Sequence, residues 1–116
     1  LMALRLYHNL DGSTGVDVEL VAPGSGVSNI GSIVISNTST SAIASISLKL
    51  YNDTTKETFQ LQAKASIPVG VTMIIDDESL LGFDNSRRGF GLYAFIGAST
   101  ECDVLINLKS VTTSNI

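Results

Sequence analysis

Apolar and polar residues alternate one by one along most of this chain, the two-residue period of a strand that buries one face. Leu4, Leu6 and His8 alternate with Arg5 and Tyr7, and the cluster Asp11-Gly12-Ser13-Thr14-Gly15 then reads as a turn. Val16, Val18, Leu20 and Ala22 alternate with Asp17, Glu19 and Val21 up to Pro23-Gly24-Ser25-Gly26. The clearest run sets Ile33 and Ile35 against Ser32, Val34 and Ser36 and closes at the hydroxyl-rich turn from Asn37 to Ser41. Ile46, Leu48 and Leu50 alternate with Ser45, Ser47, Lys49 and Tyr51 until Asn52-Asp53 breaks the strand. These last two runs, neighbours in sequence, are expected to pair as antiparallel strands.

Phe59, Leu61, Ala63 and Ala65 alternate with Gln60, Gln62 and Lys64, and Ile67-Pro68-Val69-Gly70 stops that strand because proline has no N–H to give a ladder. Val71 to Ile75 reads as another strand. Asp76 to Gly91 is the longest irregular stretch, and within it Glu78 to Phe83 is expected to form one helical turn that tucks Leu80, Leu81 and Phe83 under the sheets. Two final strands follow, Phe90 to Ile96 with Leu92, Ala94 and Ile96 inward, and Cys102 to Leu108 with Val104, Ile106 and Leu108 inward. About eight short strands at a spacing of about 8–12 residues predict an all-β, antiparallel β-sandwich or jelly-roll-like fold.

At 116 residues one domain is expected, spanning 1–116, with a polar tail over 110–116 that frays or serves in assembly. A chain of this size buries about two thirds of its unfolded surface, so neither disulfide nor structural metal is needed, and the lone Cys102 is expected to pack as a small apolar group. No apolar run approaches the ~20 residues of a membrane helix. The start Leu1 to Leu6 lacks the charged leader and apolar segment of a secretory signal, so synthesis in a cytoplasm is expected.

Only 16% of residues are charged, against about 25% in ordinary domains, and 15 serines and 10 threonines fill the gap. Hydroxyls are buried against another subunit at far smaller cost than lysine or glutamate, so this composition predicts a surface that meets neighbours. A net charge of −4 argues against nucleic acid as a partner.

The central block Ile30-Gly31-Ser32-Ile33-Val34-Ile35-Ser36-Asn37, then Ile46-Ser47-Leu48-Lys49-Leu50, Ile67-Pro68-Val69-Gly70, Leu80-Leu81 and Asp103-Val104-Leu105-Ile106 resembles small β-sandwich virion proteins of tailed bacteriophages. The likeness covers roughly residues 28 to 108. It departs before the penultimate strand, where Gly82-Phe83-Asp84 and Arg87-Arg88 stand in place of a Gly-Asp turn. The resemblance implies a non-catalytic structural part of the particle: a capsid decoration or cement protein, or else a tail, collar or fibre subunit. It implies location in the virion after assembly in the host cytoplasm. Its implied partners are further copies of itself, a trimer among the options, and a neighbouring virion protein such as a major capsid protein.

The candidate chemistry is sparse. A Ser-His-Asp triad would have to use His8, the one histidine, which lies on a strand without a nucleophile-elbow sequence. With Cys102 it supplies two of the usual zinc ligands and no paired motif, so no enzyme, metal or cofactor is expected. Asp76-Asp77-Glu78 with Asp84 and Asn85 offers oxygen ligands but fits no calcium-loop spacing, and reads as a solvated acidic turn. Arg87-Arg88, the one basic pair on an acidic chain, is a candidate partner contact through charge-assisted bonds, as are Tyr51 and Tyr93. A carbohydrate- or ligand-binding module is the competing reading. It would use Tyr7, Tyr51, Tyr93 and Phe95, although the absence of tryptophan counts against stacking on sugars. Asn37 and Asn52 are expected to cap turns.

Overall fold

The computed structural model describes residues 5–12, 15, 17–25, 30–40, 43–98 and 100–108. Leu4, Val16, Gly26 and the polar tail 110–116 lie outside the described residues. The elements are β1 (Arg5–Asp11), β2 (Val18–Val21), β3 (Ile30–Asn37), β4 (Ala44–Tyr51), β5 (Thr58–Ile67), β6 (Thr72–Ile75), α1 (Glu78–Leu81), β7 (Gly91–Ile96) and β8 (Glu101–Leu108).

The strands form two four-stranded antiparallel sheets, ordered β1-β8-β3-β6 and β2-β7-β4-β5. The pairs β1·β8, β2·β7, β3·β6 and β4·β5 describe a chain folded in half at the β4–β5 hairpin. Winding that double ribbon upon itself adds the β3·β8 and β4·β7 pairs that complete each sheet. Every consecutive connection except β4–β5 therefore crosses from one sheet to the other, the strand order of a jelly roll. The expected pairing of β3 with β4 is thus corrected: they occupy opposite sheets, face each other across the core, and take β8 and β7 as their neighbours.

The alternation read from the sequence does set the core. Ile33, Ile35, Ile46, Leu48, Leu92, Val104 and Ile106 are each 0% exposed, and all come from the inner two strands of a sheet. The outer strands contribute half-buried side chains such as Leu6, Val18, Leu61, Met73 and Ile75. Cys102 is buried and unbonded, as its apolar role requires, and burial pushes its thiol pKa up. Leu81 is buried in the core and Phe83 packs half-buried against it, whereas Leu80 stays half-exposed.

β5 departs from its simple alternation. Ile46 faces Ala65, Leu48 faces Gln62 and Lys49 faces Gln60, so β5 spends five residues where β4 spends three. These shifts are bulges. Lys64 takes a positive φ of 51° there, and its N–H donates to the Ser47 hydroxyl at 3.0 Å. Ala63 is consequently exposed instead of inward, while Phe59 packs edge-on against Phe90 with ring centroids 5.7 Å apart. At the end of β5, Pro68 accepts a bond from Val71 N at 3.1 Å across Gly70, whose φ of 77° suits the third position of a tight turn.

Candidate functional site

Two chemically different outer faces result. On the sheet β1-β8-β3-β6, register places Tyr7 beside Leu105, Leu105 beside Val34 and Val34 beside Ile74. This is an apolar stripe that crosses all four strands on the solvent side. Its ends are well exposed, Tyr7 at 67% and Ile74 at 61%. The neighbouring rows are polar and internally bonded: Asn9 donates to Asp103 at 2.6 Å, Ser36 and Thr72 share a bond of 2.9 Å, and Asn107 donates to Ser32 at 2.9 Å. Alternation alone turns Val34 outward, but the stripe exists only through the register of four strands that are not neighbours in the chain.

The outer face of β2-β7-β4-β5 is mixed. Lys49 on β4 lies opposite Tyr93 on β7, Ser47 lies opposite Phe95, and Glu19 on β2 lies opposite Tyr93 from the other side. Tyr51 and Tyr93 meet edge to face, with centroids 6.0 Å apart and planes at 79°. Lys49 Nζ reaches Asp17 at 2.5 Å and Tyr93 Oη donates to Glu19 at 3.1 Å. Two adjoining depressions of about 320 Å³ each share Asp17 and Lys49. One continues over Ser47, Gln60, Lys64 and Phe95, the other over Tyr51, Thr58 and Tyr93. The β5 bulges shape the first, because they turn Ala63 and Lys64 toward it.

Burial pushes the Tyr93 phenol up to about 12, with the Glu19 hydrogen bond and the Glu19 charge adding to the effect. A phenol raised in the fold stabilises it below the unfolded value near 10 and loses that contribution as pH climbs to about 12. Ultraviolet titration should therefore show a tyrosine step near pH 12 that is lost in Tyr93→Phe. Glu19→Gln should bring that step partway back, since desolvation remains. A step unmoved by the substitution would contradict the Tyr93–Glu19 contact.

Arg87 and Arg88 are exposed on the β6–β7 loop. Arg88 holds a φ of 104°, and its carbonyl accepts from Asn52 Nδ2 at 2.9 Å, which fixes the loop beside the end of β4 that carries Tyr51. Asn52 Oδ1 also accepts from Thr54 and Thr55 N–H, and Asn37 Oδ1 accepts from Ser39 N–H, so both asparagines cap turns as expected. Asn85, expected among its acidic neighbours to lie in a solvated turn, is a buried member of the same loop. Its amide instead bonds Ala22 O, Phe90 O and the Ser25 hydroxyl.

His8 faces the interior, where Nε2 lies 2.9 Å from Leu20 O. That carbonyl belongs to the residue skipped by the β2–β7 register, so the histidine meets an acceptor left over by the bulge. Asp76, Asp77 and Glu78 are exposed, Asp84 Oδ1 caps Ser86 N, and hydrogen bonds from the Ser86 side chain and then its backbone lower the Asp84 pKa. Among the described residues no three His, Cys, Asp or Glu side chains gather as metal ligands would.

The chain matches no protein-family model, and no curated protein matches it. Among solved structures its fold is similar to the crystal structure of PirA, with a TM-score of 0.53 and 10% identity, over 94% of this chain and 96% of that one. At that identity the likeness bears on the fold alone.

Proposed function

We propose that this chain is a non-catalytic structural subunit of a phage virion, a capsid decoration or cement protein that assembles through the apolar stripe of the sheet β1-β8-β3-β6. The stripe is the observation that carries this reading. It is joined by the low-charge, hydroxyl-rich surface, by the resemblance of the central block to small virion proteins, and by a jelly roll, an architecture that viral capsid domains use. A tail, collar or fibre position draws on the same features.

The stripe is self-complementary. Turning a second copy about an axis parallel to the strands sets Tyr7 against Ile74 and Leu105 against Val34, apolar on apolar throughout, as an isologous contact requires. The flanking rows then meet as Asn9 against Thr72 and Asp103 against Ser36, so no like charges are brought together. Light scattering over a range of concentrations is expected to give a defined oligomer. Ile74→Arg should weaken its association at least tenfold, about 1.4 kcal/mol, without changing the melting temperature of the separate subunit by more than a few degrees. A strict monomer at every concentration, or an oligomer indifferent to Ile74→Arg, would remove this face from the assembly.

A further inference from the structure

We propose that the outer face of β2-β7-β4-β5 is a binding site for a neutral oligosaccharide. This face lies on the opposite side of the sandwich from the apolar stripe, so the inference does not depend on the assembly reading. A sugar ring presents C–H groups on its faces and hydroxyls at its rim. It is therefore held by aromatic carbon next to planar or charged hydrogen-bonding groups. The sequence has no tryptophan, but register brings Tyr51, Tyr93 and Phe95 from two strands onto one surface. Phe95 is 39% exposed between the Ser47 hydroxyl and the Lys64 and Gln60 side chains that share its depression.

Charge selects the ligand class. The Lys49 ammonium is already held by Asp17, and Glu19, engaged by Tyr93, and Asp53, whose charge also reaches Tyr93, add carboxylates to the face beside the Lys64 ammonium. An anionic ligand would have to approach Asp17 and Glu19, and a purely apolar one would bury the Lys49–Asp17 pair without replacing its hydration. Hydroxyls can both donate to these carboxylates and accept from Lys49, bonds of the charge-assisted kind, and accept a neutral bond from the Gln60 amide. Each depression has the volume of a small ligand site. The two run along β4 from Ser47 to Tyr51, about 13 Å of strand, which is room for more than one ring. An added peptide strand is disfavoured on this sheet at β5, because its two bulges spoil the edge that such a strand would pair with.

The test is a titration of the full chain with glucose, mannose and galactose, their linear di-, tri- and tetrasaccharides and sulfated forms of the trisaccharides, followed by calorimetry and by the aromatic proton resonances. Binding is expected to strengthen from mono- to trisaccharide and to shift the Phe95 and Tyr51 rings. Phe95→Ala and Lys49→Ala should each weaken it at least tenfold while leaving the melting temperature within a few degrees. Ile74→Arg, on the far face, should leave it unchanged. Failure of the whole series to bind overturns the proposal, as does binding that Phe95→Ala and Lys49→Ala both leave intact, or a preference for sulfated over neutral chains. None of those outcomes touches the oligomer measured through the apolar stripe.

Discussion

Ile106→Asp is expected to leave no folded protein at neutral pH. Ile106 is 0% exposed on β8, flanked in its sheet by Leu6 of β1 and Ile33 of β3, with the opposite sheet above it. A carboxylate there has no described cation to meet it. Its desolvation costs several kcal/mol even after the structure relaxes, and protonation only exchanges a buried charge for a buried, unsatisfied acid. The lost isoleucine adds a transfer and cavity cost of about 2 kcal/mol or more. Against a total stability of roughly 5–15 kcal/mol for an ordinary domain, the sum removes most or all of the margin. Near-ultraviolet circular dichroism and a thermal melt should show no cooperative transition. Ile106→Val, which keeps the apolar contact, should cost only about 1 kcal/mol. A soluble Ile106→Asp protein that melts cooperatively would mean that β8 turns its other face inward.

That prediction uses the part of the fold the sequence made legible. Alternation states which face of a strand is buried, and for β3, β4, β7 and β8 it named the buried side chains, because one core covers each inner face completely. Alternation does not state which strand lies alongside. β3 and β4 are consecutive and similarly patterned, yet they sit in different sheets because the fold is a wound ribbon whose one local hairpin is β4–β5. The period also fails where a bulge adds residues. Nothing in Phe59 to Ala65 announces that Gln62 will face Leu48, since that depends on Ser47 offering its hydroxyl to Lys64 from 17 positions away.

The same division between local and distant runs through the turns and the two candidate faces. Asn37 and Asn52 were readable as caps because the N–H groups they receive follow within three residues. Their second bonds, to Ile67 O and Arg88 O, join positions 30 and 36 residues apart and had no sequence signal. Tyr51 and Tyr93 could be singled out as aromatics, but only the β4–β7 register makes them a pair and adds Phe95, Lys49 and Asp17 around them. Tyr7, grouped with them by residue type, lies instead on the other sheet as the end of the apolar stripe. The outcome is a sandwich with an apolar outer face on one side and a polar, aromatic outer face on the other, so the two proposed contacts do not compete for surface.

The loop between β6 and β7 is held by an interaction that composition concealed, and its removal is the second large effect expected. Asn85 is 4% exposed, accepts from the Ser25 hydroxyl at 2.8 Å, and donates to Ala22 O at 2.9 Å and Phe90 O at 2.6 Å. It thereby ties the Arg87-Arg88 segment to the connection leaving β2, more than 60 residues earlier. Asn85→Ala removes three bonds: Phe90 O loses its side-chain donor, while Ala22 O and the Ser25 hydroxyl lose the amide but keep the 2.8 Å bond between them. Each such loss costs about 1–3 kcal/mol where water cannot enter, so with partial rehydration the total is about 3 kcal/mol, a fall in melting temperature of roughly 10 °C or more. Asn85→Asp should be no milder, because it keeps the acceptor but loses both donated bonds and places a charge beside two carbonyl oxygens. Amide exchange separates local from global damage: the Gly89 and Phe90 N–H groups, bonded to Ser86 O and Asp84 O, should lose protection first if the loop opens alone. Retained protection with an unchanged melt would assign the loop's rigidity to Gly89, where an added Cβ would lie 2.3 Å from Asp84 O, and Gly89→Ala would then be the substitution that opens it.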